Sequence, residues 1–393
     1  MTLAKSFQGD TRPRLEAQAL RRSGYDVEVL AWDRDLKMPF KGKIDGISTT
    51  SLRIFRGVEF RKLRFALAST VFQVACFFYA LGLSRTGKLV IHAHDFNTLL
   101  PGALARLLLP GRISLVYDSH EYTPGVYAEY YGDMMGRIAC LLEKIIGRCA
   151  DAVITVSDPI ANYLRRTLGR SCTVLWNCPP LRDIPTISKE IARAKLKLPP
   201  GLLILCIGLF RQDLAYEALP ELVDKIRAVG MKDVRAVLVG KGLPEEFLAK
   251  ALSSSEFFVI RDWVEPEKAL LYYRACDLTY CMYRTEGANS RVGMPWKLFE
   301  SVLCGTPVLV TRGSYSHVFV RKYRCGAWAD PESAEDLLEA IAAIRNGEAK
   351  EAIDFASQFG KDFSWERMEE RLLSTYAELE KNTKRTTSSE SCK

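Results

Sequence analysis

Three of the four histidines in this 393-residue chain fall in two short runs, His92-Ala93-His94-Asp95 and Asp118-Ser119-His120-Glu121. Each run closes an apolar, strand-like stretch, one from Lys88 to His92 and one from Ile113 to Tyr117. Side chains at the carboxyl ends of parallel strands face the crevice in which open α/β sheets bind ligands. A carboxylate beside an imidazole fixes its tautomer or raises its pKa, the usual preparation for general acid–base work. His92, His94 and Asp95 leave three uses open: metal ligation, structural packing, or contact with a polar substrate. The metal reading requires an extended strand, because histidines at i and i+2 share a face only there. For Asp118 to Glu121 the alternative is a polar loop satisfied by local turn bonds.

A second constellation lies in Met294 to Val310, MPWKLFESVLCGTPVLV. The pattern predicts a short helix opened by Pro295, carrying Lys297 and Glu300, ended by Gly305 and followed by a buried strand at Pro307–Val310. A helix N-terminus offers free N–H groups and the positive end of the helix dipole, which suits a diphosphate. Lys297 adds a full charge, and the Glu300 carboxylate can accept two hydrogen bonds from a ribose diol. The plainer alternative is an ordinary amphipathic helix feeding an ordinary strand.

Strand-like and helical patterns alternate along the whole chain, which predicts α/β architecture built on parallel sheets. In the first half strands are expected near Asp26–Trp32, Lys88–His92, Ile113–Tyr117, Ala152–Val156 and Thr173–Leu175. The second set runs through Leu202–Gly208, Arg235–Val239, Phe257–Ile260, Leu278–Met282 and Pro307–Val310. The predicted organisation is one Rossmann-like domain over 1–180, a linker over 181–201 and a second Rossmann-like domain over 202–362. A helix over 363–380 returns to the first domain, and a polar tail over 381–393 is expected to be disordered. Met1–Lys5 is a short first strand.

Composition is that of a soluble globular protein, and the net charge of +8 is moderate but uneven. Seven lysines and arginines crowd residues 41–64 against Asp45 and Glu59. Phe65 to Leu83 then runs without a charge. Its Ser69, Thr70, Gln73 and Gly82, and the strands around it, favour a buried or membrane-skimming helix over a spanning one. Residues 41–83 therefore suit an anionic membrane surface, with a solvated basic face as the alternative. The eleven cysteines form no C-x-x-C pair and several lie in apolar runs, which predicts reduced, packed thiols, a cytoplasmic location and no zinc site.

In order, GDTRPRLEAQALRRSGYDVEV, LVIHAHDFNTLLPGALAR, VYDSHEYTPG, DAVITVSDPIANYL, VLWNCPP, LCIGLF, AVLVGKG and MPWKLFESVLCGTPVLV resemble the segments of GT-B fold, retaining family 4 glycosyltransferases. The resemblance runs from about Asp10 to Leu379 and implies two Rossmann-like domains facing across a cleft (GT-B). It also implies sugar transfer from a nucleotide-diphosphate donor to a lipid-linked or polysaccharide acceptor, with retention, no metal or other cofactor and no nucleic-acid partner. Carried onto this chain, the catalytic side falls to His94, His120 and Glu121, and the acceptor side to Asp95 and Asp118. Donor binding falls to Gly208, Arg211, Pro295, Lys297, Leu298 and Glu300. The enzyme would work in the cytoplasm, peripherally at the cytoplasmic membrane face.

Two departures stand against the pattern. The first glutamate of the family's Glu-x7-Glu pair is replaced by Val292, leaving Glu286, Asn289, Ser290 and Arg291 as substitutes for holding the donor sugar. The family's first strand is longer than Met1–Lys5, so the start is expected to be abbreviated. Asp33-Arg34-Asp35 mimics a metal-binding Asp-x-Asp but sits in a charged loop and is expected to be solvated. Rival readings are a sugar-nucleotide 2-epimerase and a catalytically silent nucleotide- or glycan-binding partner subunit.

Overall fold

The computed structural model describes residues 1–34, 36–54, 63–210, 214–230, 233–253, 256–348 and 359–390. The chain divides into two compact units, Met1–Trp176 with Met368–Lys393, and Asn177–Arg367. Segment 181–201 belongs to the second unit and carries the helix Lys189–Leu196, so it is not a free linker. Its Ala192 and Leu196 sit in an apolar cluster with Leu203 and Tyr273, and Lys189 and Arg193 both pair with Asp277.

The first unit has an eight-stranded sheet: β1 (Thr2–Leu3), β2 (Glu28–Trp32), β3 (Lys41–Ile44), β4 (Ile47–Leu52), β5 (Leu89–His94), β6 (Ile113–Ser119), β7 (Ala152–Thr155) and β8 (Thr173–Val174). Their order is β3-β4-β2-β1-β5-β6-β7-β8, parallel except for the β3–β4 hairpin. That hairpin occupies part of the stretch read as a basic patch. Asp45 and Gly46 turn it with φ of 51° and 77°, the left-handed pair that a two-residue hairpin turn requires. β1 is short but central, pairing with β2 on one side and β5 on the other.

The helix Leu63–Leu83 follows β4. It buries Phe65, Ala68, Phe72 and Cys76 against Leu30 and Trp32, while most of its remaining surface is exposed. The buried-helix expectation therefore holds for one face only. Asp33 is buried, 1% exposed, and accepts a hydrogen bond from the Met38 N–H at 2.7 Å, which corrects the solvated-loop expectation; Asp35 lies outside the described residues.

The second unit has a six-stranded parallel sheet: β9 (Leu202–Leu209), β10 (Val234–Lys241), β11 (Phe258–Arg261), β12 (Leu278–Cys281), β13 (Val308–Thr311) and β14 (Gly326–Ala329). The order β11-β10-β9-β12-β13-β14 reverses direction between β9 and β12, the kind of switch point at which doubly wound sheets bind ligands. Ile204, Cys206, Leu238 and Tyr280 fill the core on one side of the sheet, and Leu203, Leu205, Val237 and Val239 on the other.

The last helix, Trp365–Glu390, continues past Leu379 through the segment expected to be disordered; residues 391–393 lie outside the described ones. Tyr376, Leu372 and Leu379 are buried within the first unit, and Glu369 and Glu380 bind Arg22 and Tyr25 at 2.7 Å each, so tertiary contacts hold the helix as far as Glu380.

Candidate functional site

β5 and β6 place His94 directly beside Asp118 in parallel register. β5 stays extended, so His92 and His94 share a face. Above them the helix Thr11–Arg22 sets Arg12 and Glu16 one turn apart on its buried side. The Arg12 guanidinium donates to both oxygens of Asp118, at 3.3 and 2.9 Å, and to the Leu175 carbonyl at 2.6 Å. Its Nε also lies 3.0 Å from Glu16. His120 closes the group, with Nε2 2.9 Å from Asp118 Oδ2 and 3.1 Å from His94 Nδ1. From the last helix, the Tyr376 hydroxyl pairs with His92 Nδ1 at 2.9 Å.

Burial sorts the charges. It pushes Glu16 well above the ordinary carboxyl range, and repulsion from Asp118 adds to this. Burial acts the same way on Asp118, but Arg12 and His120 outweigh it and hold that carboxyl well below its ordinary value. His94 is held well below the usual imidazole value by burial and by His92, and His92 is lowered by burial too. His120 is raised: burial opposes its charge, and Asp95 and Asp118 outweigh burial. The site thus favours the cationic form of the imidazole at its rim, and beneath it the neutral form of a second imidazole and the ionised form of a carboxylate. That is an arrangement able to hold or move a proton.

Glu16, His92, His94 and Asp118 form the group of described residues whose ligand atoms come within 4.8 Å of one another. The rings of His92 and His94 stack at 4.4 Å with 8° between their planes. A bound metal lies in the plane of each imidazole at about 2.0–2.1 Å, and two stacked parallel rings share no such point. One ion cannot take both rings in this arrangement.

Asp95 lies at the mouth. It adopts φ 65°, strained for a residue with a Cβ, while its carboxylate accepts from the His120 N–H at 3.0 Å and faces Lys5 at 3.9 Å. Glu121 is exposed, and its backbone carbonyl accepts from the Ser119 hydroxyl at 2.9 Å. Arg12, Glu16 and Tyr376 went unrecognised in the sequence. A signal existed for the first two: Arg12, Leu15, Glu16, Ala19 and Leu20 follow the i, i+3, i+4 spacing of one buried stripe, and charges on such a stripe need partners.

The second unit assembles the other constellation. Pro295 caps the helix Trp296–Leu303, with no side chain bound to its first N–H groups. Asn177 holds the preceding turn by donating to the Met294 carbonyl at 3.0 Å. Lys297 reaches back to the end of β9, where a Cβ on Gly208 would lie 3.6 Å from its Nζ. It also lies over the Tyr283 ring at 5.1 Å. Gly240 is required beside Gly208, since any Cβ there would meet the Gly208 carbonyl at 1.8 Å. Glu300 accepts from the Tyr273 hydroxyl through Oε2 at 2.8 Å, which leaves Oε1 for another donor. Burial raises its pKa, against the pull of Tyr273 and Lys297.

Leu298 is fully buried and anchors the helix to the core. Arg211 lies outside the described residues. Among the substitutes for the missing glutamate, Asn289, Ser290 and Arg291 fall on the short helix Ala288–Val292, and Glu286 is exposed before it.

Comparisons with known proteins agree with this division. A family model described as a glycosyl transferase 4-like domain matches residues 10–175, and one described as glycosyl transferases group 1 matches residues 201–346. Sucrose-phosphate synthase from Thermosynechococcus elongatus superposes with a TM-score of 0.75 at 19% identity, over 96% of this chain and 98% of that one. Anabaena Alr3699/HepE, solved in complex with UDP, gives 0.68 at 16% identity, over 96% of this chain and 99% of that one. A glycosyltransferase from Rickettsia africae gives 0.67 at 14% identity, over 97% and 98%. At these identities the likeness is one of fold. No curated protein sequence matches the chain.

Proposed function

The chain belongs to the GT-B fold glycosyltransferases, and from that premise we propose that it is a retaining hexosyltransferase acting on a lipid-linked or polysaccharide acceptor. Sugar transfer from a nucleotide donor is the activity of the family; the sugar, the stereochemistry and the acceptor are our reading. The observation that carries it is the group at the ends of β9 and the helix Trp296–Leu303: uncapped N–H groups, the Lys297 ammonium beside Gly208, and Glu300 with one oxygen open.

In this reading the helix N-terminus and Lys297 stabilise the charge that develops on the departing diphosphate, with no metal ion taking part. Glu300 anchors the ribose diol through Oε1. In the first unit His120 and Asp95, at the mouth of the buried cluster, meet the acceptor. His94, Asp118, Arg12 and Glu16 lie beneath them and position His120. Glu121, exposed, has at most an outer role. The described cysteines are all free, which supports a reducing, cytoplasmic setting. The anionic-surface reading of residues 41–83 rests on the described hairpin β3–β4 and the helix Leu63–Leu83; Arg56, Arg61 and Lys62 lie outside the described residues.

The test is calorimetry with UDP, GDP, ADP and their hexose conjugates, parent against Glu300→Ala. UDP comes first because Alr3699/HepE has been solved with UDP-glucose. The expected result is binding of one nucleotide family, weakened at least ~10-fold in the variant by loss of a charge-assisted hydrogen bond. A parent that binds none of them, or a variant that binds as well as the parent, removes this reading.

A further inference from the structure

Thirteen of the twenty-three large apolar side chains exposed in the described residues lie on three helices of the first unit. The helices are Leu63–Leu83, Phe96–Leu108 and Asp133–Gly147. They lie side by side, the second packed against each of the others. All three follow strands that step in the same direction across the sheet, and right-handed crossovers put such helices on one face.

On the first helix Leu67, Val71, Val74 and Phe78 are exposed, at i, i+4, i+7 and i+11, so they form a single outward stripe opposite the buried Phe65, Ala68, Phe72 and Cys76. Leu100, Leu104 and Leu107 repeat the spacing on the second. On the third Met134, Ile138, Leu141 and Ile145 repeat it again, with Met134 72% exposed. Outer stripes of helices that cover a sheet are ordinarily polar. Three adjacent apolar ones make a continuous surface well beyond the few hundred Å² of apolar patch usual on a monomer.

The charges around this surface are mostly of one sign. Arg64, Arg85, Lys88, Arg112, Arg137, Lys144 and Arg148 are exposed on these helices and the segments that join them, against the exposed acids Glu121, Glu129 and Asp133. From Leu63 to Arg112 the only acidic residue is Asp95, which faces the site. A cationic rim argues against a second copy of the chain, because a two-fold contact would set like charges against each other. It fits an anionic bilayer, which offers hydrocarbon to the stripes and phosphate to the rim.

We propose that these three helices are a lipid-docking face, seated in the headgroup boundary of an anionic membrane, so that the acceptor is taken from the bilayer surface. Two of the helices are tied to the site. Phe96–Leu108 begins at the residue after Asp95. Asp133–Gly147 carries Glu143, which accepts from the hydroxyls of Tyr117, Thr123 and Tyr163 at 2.5, 2.8 and 2.7 Å and so locks that helix to β6. This inference deepens the lipid-linked acceptor of the proposed function, and its readout is separate from donor binding.

The experiment is co-sedimentation of the full chain with vesicles of phosphatidylcholine alone and with phosphatidylglycerol added. The parent is compared with Leu104→Glu/Leu141→Glu, which changes only exposed positions on the second and third helices. The expected result is parent pelleting that depends on the anionic lipid and falls at least ~10-fold in the variant, with circular dichroism and nucleotide binding unchanged. A parent that stays in the supernatant with both vesicles overturns the proposal, as does a variant that pellets like the parent. A parent that is a dimer in sedimentation velocity, becomes monomeric in the variant and ignores vesicles assigns the face to a second copy and overturns it too.

Discussion

The polar groups at the sheet ends of the two units are built on opposite plans. In the first unit Arg12, Glu16, His92, His94 and Asp118 are each 3% exposed or less, and the charge of Asp118 is met from within the group by Arg12 and His120. In the second, Lys297 and Glu300 are half-buried, and Tyr273 takes only one of the two Glu300 oxygens. A buried network of that kind is costly to disturb, because any lost partner strands a charge in a low dielectric. An open pair gives up little stability when cut and much binding. Under the proposed function the first unit would position and the second would hold.

The sharpest way to break that contrast is Asp118→Asn. It should lower unfolding stability in urea by about 3 kcal/mol, less than a fully stranded Arg12 would cost because Glu16 remains beside the guanidinium. A loss below ~1 kcal/mol would mean that the network is not the closed structure its distances describe. Next comes Lys297→Ala, which should leave unfolding stability in urea within about 1 kcal/mol of the parent while weakening nucleotide binding by ~10- to 100-fold, the range for a hydrogen bond to a charged group. Equal losses in stability and binding would erase the distinction between the units.

The smallest effect is a pH slope. His92 and His94 have folded pKa values below the ordinary 6.5, so the unfolded chain takes up protons before the folded one does. Stability should fall as pH drops through about 6.5, and the raised pKa of His120 should offset part of that loss. His92→Gln should flatten the slope, measured as thermal midpoint between pH 5.5 and 7.5, a range set on either side of the imidazole value. An unchanged slope would assign the acid sensitivity to other groups.

Much of the architecture was legible because parallel strands buried on both faces read as short apolar runs, and the ends of those runs marked His94 and Asp118. The β3–β4 hairpin was hidden under its lysines. Its strand Lys41–Ile44 is an exposed edge, so alternation carried little apolar signal, and the informative residues were Asp45-Gly46. Within each motif the sequence could not say which side chains turn inward: Leu298 is buried and Glu121 exposed, and only packing decides that. Arg12 and Glu16 could have been found from their place on an apolar stripe. Tyr376 could not, because nothing near it in the sequence says that it meets a strand 284 residues earlier.

That last contact has a consequence for how the chain is made. His92 of the first unit waits for a hydroxyl that is translated only after the whole second unit. Arg371 likewise donates to the Val174 carbonyl at 3.1 Å, and Thr375 meets Thr173 at 3.1 Å. During synthesis the N-terminal sheet stays incomplete while the whole second unit is threaded out behind it. A premature stop near Arg367 would yield a finished C-terminal unit beside an unfinished N-terminal one, with a stacked histidine pair lacking its buried phenol.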